Sequence, residues 1–444
     1  MMSGKKKKKK NAGPPLPMIR LSQCMIVKNE EKNIERALSW AKAVAFEQIV
    51  VDTGSTDRTV EIAEKMGAKV YHFEWINDFS AAKNYAIEQA TGNWIAFLDA
   101  DEYFTSMDAK KLIVYLKNIW TDPEMRSNYL ALNCKWSQVD DKGVPFSILD
   151  QERVFRNTPS VRYVWKIHET LSIGPENVAR VEEITIIHTG YTKTAYEETS
   201  KAERNVELLR EALEEKPDDL NLKAYLADSL AIRDAEGKVD SDKLAEAEGL
   251  YREVIAGGKT AHYELRKSSY LYFIEKYTNS GQNVLECEEL CRKALKDEPG
   301  DMDYEYYLAI ALNNKGEHKE AWELFKGVES KLINDKSMSE SRAVMAKPDQ
   351  LFARMLFVAD KLGDVESTIR YATMLLTADK NKHDILSPYI VTLLRNDVSE
   401  DEVIGLLSKL YDFNDPKDLL IIARAAKDCG AIDLARRVVE MLKT

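Results

Sequence analysis

Ala212-Leu213, Pro217, Asp219, Tyr225-Leu226-Ala227 and Leu230 recur in the same register as Ala294-Leu295, Pro299, Asp301, Tyr307-Leu308-Ala309 and Leu312. A register kept over nineteen positions is an internal repeat. The apolar residues fall at helical spacing, and a proline follows the first helical stretch of each copy. A hairpin of this kind cannot bury its apolar face alone and must stack on neighbours, which commits the second half of the chain to a helical solenoid. A second echo places Ala321, Thr368 and Ala435 five residues after Gly316, Gly363 and Gly430. There the glycine makes the tight turn that opens the second helix. The stretch Gly237 to Asp242 reads as an insertion, and Ser337 to Asp349 as a break before a final helical set. In that set Leu351 to Leu356 and Leu406 to Leu410 read as core stripes.

The first half has a different rhythm. Leu21 to Val27 reads as a strand, followed by a helical pattern through Ile34, Ala37, Leu38 and Ala41. Gln48 to Asp52 is a second strand. Ser55 or Thr56 is placed to cap a helix running to about Met66, which Gly67 stops. Lys69 to Phe73 is a third strand, and Asn77 to Ser80 open a helix through Ala90. Strand and helix alternating at this spacing imply a largely parallel sheet with ligands at the C-terminal strand ends. Trp94 to Leu98 then runs into Asp99-Ala100-Asp101-Glu102. If the strand continues, Asp99 and Asp101 share a face and offer two carboxylates to a hard divalent cation carrying phosphate oxygens. The plain alternative is an acidic surface turn. Three polar clusters fall on this one rim: Asn29-Glu30, Asp52 to Thr59 and Asp99 to Glu102. Three such clusters on one edge of a sheet favour a nucleotide-sugar site, and the absence of GxGxxG and of a GKS or GKT loop disfavours dinucleotide and ATP cradles.

Composition narrows the rest. The 444 residues allow two or three domains, and 44% hydrophobic with 31% charged residues describe a globular chain. No apolar run nears the ~18 residues of a membrane span, and no secretory signal is visible. A net charge of -11 argues against general nucleic-acid binding. Five scattered cysteines suit a reducing cytoplasm, and Cys287 with Cys291 read as helix packing. The run Lys5 to Lys10 reads as a solvated basic tail over residues 1-19.

Met25 to Glu30, Val50 to Asp57, Glu74 to Asn84 and Asp99-Ala100-Asp101 occur in the order found in family 2 glycosyltransferases, and roughly residues 20 to 195 resemble that family. The resemblance is to the subgroup containing flagellin glycosyltransferases and sublancin-type bacteriocin peptide glycosyltransferases. It implies an α/β GT-A domain, Rossmann-like in its nucleotide-sugar binding, over 20-195. The helices after it resemble tetratricopeptide repeats of ~34 residues, giving an all-α solenoid over 196-336 and further helical repeats over 337-444.

Carried onto this chain, the resemblance implies a UDP-sugar site built from Val27, Asn29, Glu30, Asp52, Ser55, Asp78, Lys83, Asn84, Asp99, Ala100 and Arg153. Glu30 and Asp52 would meet the ribose and uracil, with Asp52 accepting the base N–H. Lys83 and Asn84 would face the diphosphate or sugar. The family usually carries arginine where Lys83 stands, so bidentate phosphate contact is lost here. Asp99 and Asp101 would hold Mn²⁺ or Mg²⁺, with His188 as third ligand. Inverting transfer needs a base for the acceptor proton. Glu169 is the first choice and His168 the second, while Arg153 would orient a carboxylate or phosphate.

The expected activity is therefore metal-dependent, inverting transfer of GlcNAc or glucose from UDP to Ser or Thr of a protein, flagellin before others. The repeats would present the acceptor, or form a dimer surface. The competing readings are a bacteriocin peptide modified on S or O, a cell-envelope glycan acceptor, and a scaffold that has lost chemistry.

Overall fold

The computed structural model describes residues 18–190, 201–232, 238–334, 341 and 343–442. The Lys5 to Lys10 run, Gly237 and residues 337–340 of the expected break lie outside the described residues. The chain divides into two compact units, Met1–Leu250 and Tyr251–Thr444.

The first unit is built on an eight-stranded mixed sheet. Its strands are β1 (Leu21–Val27), β2 (Glu47–Asp52), β3 (Lys69–His72), β4 (Trp94–Phe97), β5 (Glu102–Phe104), β6 (Ala131–Val139), β7 (Pro145–Arg156) and β10 (Val178–His188). They lie in the order β3-β2-β1-β4-β7-β6-β10-β5. The β3-β2-β1-β4 half is parallel, as strands separated by crossover helices must be. β7 then enters antiparallel to both β4 and β6. A separate short ribbon pairs β8 (Tyr163–Val164) with β9 (Thr170–Leu171).

Five helices accompany the sheet: α1 (Ile34–Ser39), α2 (Thr59–Lys65), α3 (Phe79–Gln89), α4 (Ser106–Thr121) and α5 (Pro123–Asn128). The parallel strands are buried throughout β4 and nearly so in β1 and β2, the pattern of a sheet covered on both faces. Trp94, Phe104, Leu112 and Leu116 form one core. Ile49, Ala86, Phe97 and Phe155 form another.

Two local expectations change. β4 stops at Phe97, so Asp99 and Asp101 lie in the turn between β4 and β5 and strand alternation does not set their directions. The start of α2 is not held by Ser55 or Thr56. Instead Asp57 Oδ1 accepts the Thr59 N–H at 3.0 Å, while Ser55 is turned back to Asp52 and Asn29.

The helical region begins in the same unit as the sheet, with a first hairpin of Lys201–Glu215 and Leu220–Leu230. Asp219 caps its second helix through the N–H groups of Asn221 and Leu222. The second unit is helical among its described residues. Gly316 and Gly363 end their helices at φ 88° and 71°, left-handed conformations that a side chain would strain. Ala321 and Thr368 are buried five residues later, as the hairpin echo predicts. No helix among the described residues is long and apolar enough to cross a membrane.

Candidate active site

The loops after β1 and β2 are laced together at the rim. Asn29, at φ 58°, accepts the Thr56 N–H through Oδ1 at 2.8 Å, and its own N–H donates to Ser55 Oγ at 2.9 Å. The Glu30 N–H donates to Thr59 Oγ1 at 2.7 Å, and its carboxylate accepts the Asn33 amide at 2.9 Å. Val27 is buried, and its carbonyl accepts from the Thr53 N–H and hydroxyl. The Asp52 carboxylate accepts the N–H groups of Gly54 and Ser55 and lies 3.4 Å from His72 Nδ1. A carboxylate has acceptor capacity beyond two such bonds, so Asp52 retains room for a base N–H. His72, one strand over, carried no motif that would have singled it out.

Beside the rim runs a chain of alternating charge. Glu169 Oε1 is 2.7 Å from Lys83 Nζ, which is 3.3 Å from Asp99 Oδ1. Asp99 Oδ2 is 2.9 Å from Arg153 Nη2, which also donates to Glu102 Oε1 at 2.9 Å. The Trp136 indole N–H donates to the same Glu102 oxygen at 2.8 Å. Lys83 is 2% exposed and lies 5.1 Å over each of the Phe97 and Tyr163 rings. Burial opposes its charge, but Asp99 and Glu169 outweigh that and hold its pKa above the ordinary lysine range. Burial likewise opposes the charge on Asp99, which Lys83 and Arg153 hold well below the carboxylate range. Burial pushes Glu102 the other way, upward, despite Arg153. The sequence places Glu102 in the acidic cluster but gives it no task of its own. Only the fold shows that it is buried and that it ties Arg153, Trp136 and the Asp99 N–H together.

Asp101 has a different partner from Asp99. Its Oδ2 lies 3.6 Å from His188 Nε2, and the His188 ring packs at a 30° tilt against Trp136 with centroids 4.4 Å apart. A Cβ on Gly190 would fall 2.1 Å from Asp101 Oδ2 and 2.6 Å from His188 Nε2, so a side chain there would push this pair out of place. Thr189 fastens the turn, its N–H and hydroxyl donating to the Asp101 carbonyl at 3.0 Å each. No three His, Cys, Asp or Glu among the described residues form a cage. A carboxylate and an imidazole nonetheless suit Mn²⁺ or Mg²⁺, which bind through few protein ligands and fill their coordination with phosphate oxygens and water. Asp99 is engaged by two cations, Lys83 and Arg153.

The remaining predicted residues divide by task. Asp78 caps α3, accepting the Ala81 N–H at 2.8 Å. The Asn84 amide donates to the Tyr163 carbonyl and accepts the Tyr163 N–H, both at 2.9 Å, which fastens α3 to β8 and leaves little of it for a ligand. Ala100 is buried within the core beside α1. His168 sits in the loop between β8 and β9, with its ring stacked on Tyr225 of the first helical hairpin, centroids 3.7 Å apart and 7° from parallel. Burial pushes its pKa down to about 4, so at neutral pH it is an uncharged imidazole. The same hairpin bonds Glu215 to Lys166 at 2.5 Å and Glu211 to the Asn77 amide at 3.1 Å, and sets Arg204 5.3 Å over the Phe79 ring.

Residues 22–125 match the family described as Glycosyl transferase family 2. The family match therefore lies within the N-terminal α/β region. The match takes in the motifs from Val27 to Asp101 and stops short of Arg153, His168, Glu169 and His188. A TPR repeat-containing protein of Synechococcus elongatus is 37% identical over 227 residues, 48% of this chain and 52% of its own length. The SPbeta prophage-derived glycosyltransferase SunS of Bacillus subtilis is 29% identical over 203 residues, 44% of this chain and 45% of its own. The chain thus spans about half the length of each of these curated relatives. A crystal structure of S. aureus TarS in complex with UDP-GlcNAc overlaps 67% of this chain and 92% of that one at 16% identity, with a TM-score of 0.36. That overlap is too loose to carry argument. The chain joins the α/β domain that carries this family match to a run of helical hairpins.

Proposed function

We propose that this protein transfers a sugar from a UDP-sugar to a hydroxyl of a protein acceptor, with inversion. The observation that carries the reading is the meeting of Asp101 and His188 over Gly190, next to the Lys83–Asp99–Arg153 chain. Asp52 and Glu30 would take the uridine, at the interlaced ends of β1 and β2. Asp101 and His188 would hold Mn²⁺ or Mg²⁺. When bound, that ion supplies Lewis-acid stabilisation of the departing diphosphate. Lys83 and Arg153 keep Asp99 ionised and fixed in place, where its carboxylate can accept a sugar hydroxyl. Glu169 is the better base of the two candidates. It is a carboxylate with one oxygen on Lys83, whereas His168 is buried under Tyr225 and weakly basic.

Ser and Thr hydroxyls of flagellin are the preferred acceptor, with UDP-GlcNAc before UDP-glucose as donor. The family match and the glycosyltransferase relative support the activity. The helical repeats support a polypeptide acceptor, since stacked hairpins present an extended binding surface. A cytoplasmic place of action fits the five cysteines, all of them free thiols.

The test is intact mass of flagellin co-expressed with this protein, alongside UDP-sugar turnover in vitro. A gain of whole sugar units names acceptor class and donor together, because hexose and N-acetylhexosamine differ in mass. Chelator should abolish turnover and added Mn²⁺ or Mg²⁺ restore it. Asp101→Ala should cut turnover by roughly a hundredfold or more, the scale expected when stabilisation of developing charge is lost. Wild-type turnover by Asp101→Ala overturns the metal assignment.

A further inference from the structure

We propose that Tyr225 is a positioning residue of the transfer site, holding through its stack on His168 the loop that carries Glu169. The inference rests on the reading of Glu169 as the base. Trp165 and His168 both have positive φ, 79° and 52°, which residues with side chains keep only where the surroundings impose it. From one side α3 grips the start of the loop. The Phe79 N–H donates to the Lys166 carbonyl at 2.8 Å, and Ser80 Oγ donates to the Trp165 carbonyl. Those bonds stop two residues short of His168. His168 Nε2 is buried with no hydrogen-bond partner among the described residues, so that atom does not anchor the ring. The parallel Tyr225 face does. Glu169 follows directly, 2.7 Å from Lys83, and a loop that relaxes at His168 carries the carboxylate off that lysine.

Tyr225 lies in the repeat pattern, in the second described helix after the sheet. The first hairpin is therefore part of the transfer site as well as the start of the solenoid. Its role is orientation: a small displacement of a reacting group costs rate while leaving donor binding alone.

The experiment uses the full chain with Mn²⁺ and compares wild type, Tyr225→Phe and Tyr225→Leu. Phe keeps the stacked ring without the hydroxyl, and Leu keeps apolar volume without a ring. Hydrogen exchange of the amides of 165–170 should quicken in the Leu variant and match wild type in the Phe variant. The Leu variant should lose roughly tenfold to a hundredfold in kcat with donor KM changed by less than about twofold, and Phe should restore both. Wild-type exchange over 165–170 in the Leu variant overturns the proposal, as does quickened exchange with unchanged kcat. A wild-type protein that turns over no UDP-sugar defeats the reading of Glu169 instead, and the exchange comparison still decides whether Tyr225 holds the loop.

Discussion

The two copies of the repeat carry the same tyrosine and the same capping aspartate in different surroundings. In the copy at 294–312, the Tyr307 hydroxyl donates to Glu275 at 3.1 Å and its ring packs edge-on against Tyr306, inside the helical stack. In the copy at 212–230, Tyr225 turns its face to His168 in a loop of the α/β domain. The aspartates differ in the same way. Asp219 and Asp301 each cap the second helix of a hairpin. Asp301 also takes the buried Lys267, 2.8 Å away, and Lys267 lies 3.0 Å from Asp303. The repeated positions specify how a hairpin is built. What each side chain does is decided by what the hairpin is packed on.

Three experiments press on this contrast, beginning with the largest change. A chain ending at residue 199, short of the first described hairpin, lacks Tyr225, Glu211 and Glu215. It should lose UDP-sugar turnover by at least roughly tenfold relative to one ending at residue 257, measured on soluble protein in each case. Equal rates would make both copies of the repeat mere solenoid. Next, Lys267→Met removes the cation that Asp301 and Asp303 share in the second copy. Stripping one partner from a buried ion pair costs about 3–5 kcal/mol, so the second unit should unfold at markedly lower denaturant while UDP binding is unchanged. An unmoved transition would mean that the buried charges there are dispensable. Smallest is the tyrosine pair itself. Tyr307→Phe should cost about 1 kcal/mol, the worth of an ordinary hydrogen bond, read from the same denaturation curves. Tyr225→Phe should cost almost nothing, because its contribution is the ring face. Equal losses would erase the distinction between the copies.

The sequence made the repeat legible because its signal is local: helical spacing, a proline and a capping aspartate within nineteen positions. The strand and helix order of the α/β half was legible for the same reason. The direction of Asp99 was not. Alternation along a strand puts it with Asp101, but β4 ends at Phe97 and the turn sends the two carboxylates to Arg153 and to His188. Glu102 reads as one more acid in an acidic run until the fold buries it beside Trp136 and Arg153, 34 and 51 positions away. Tyr225 reads as a repeat residue, which it is. Its second role rests on a contact with a residue 57 positions earlier in the chain, 225 against 168, and no pattern within either segment announces it.

Solenoids change length by gaining or losing whole units, since each unit touches only its neighbours. Here that freedom starts late. A duplication or deletion beyond residue 257 lengthens or shortens a stack, whereas the same event across 201–230 would exchange the ring that lies on His168 for one shaped to fit another hairpin. The first repeat is thus tied to the α/β domain, and only those after it are free to vary in number.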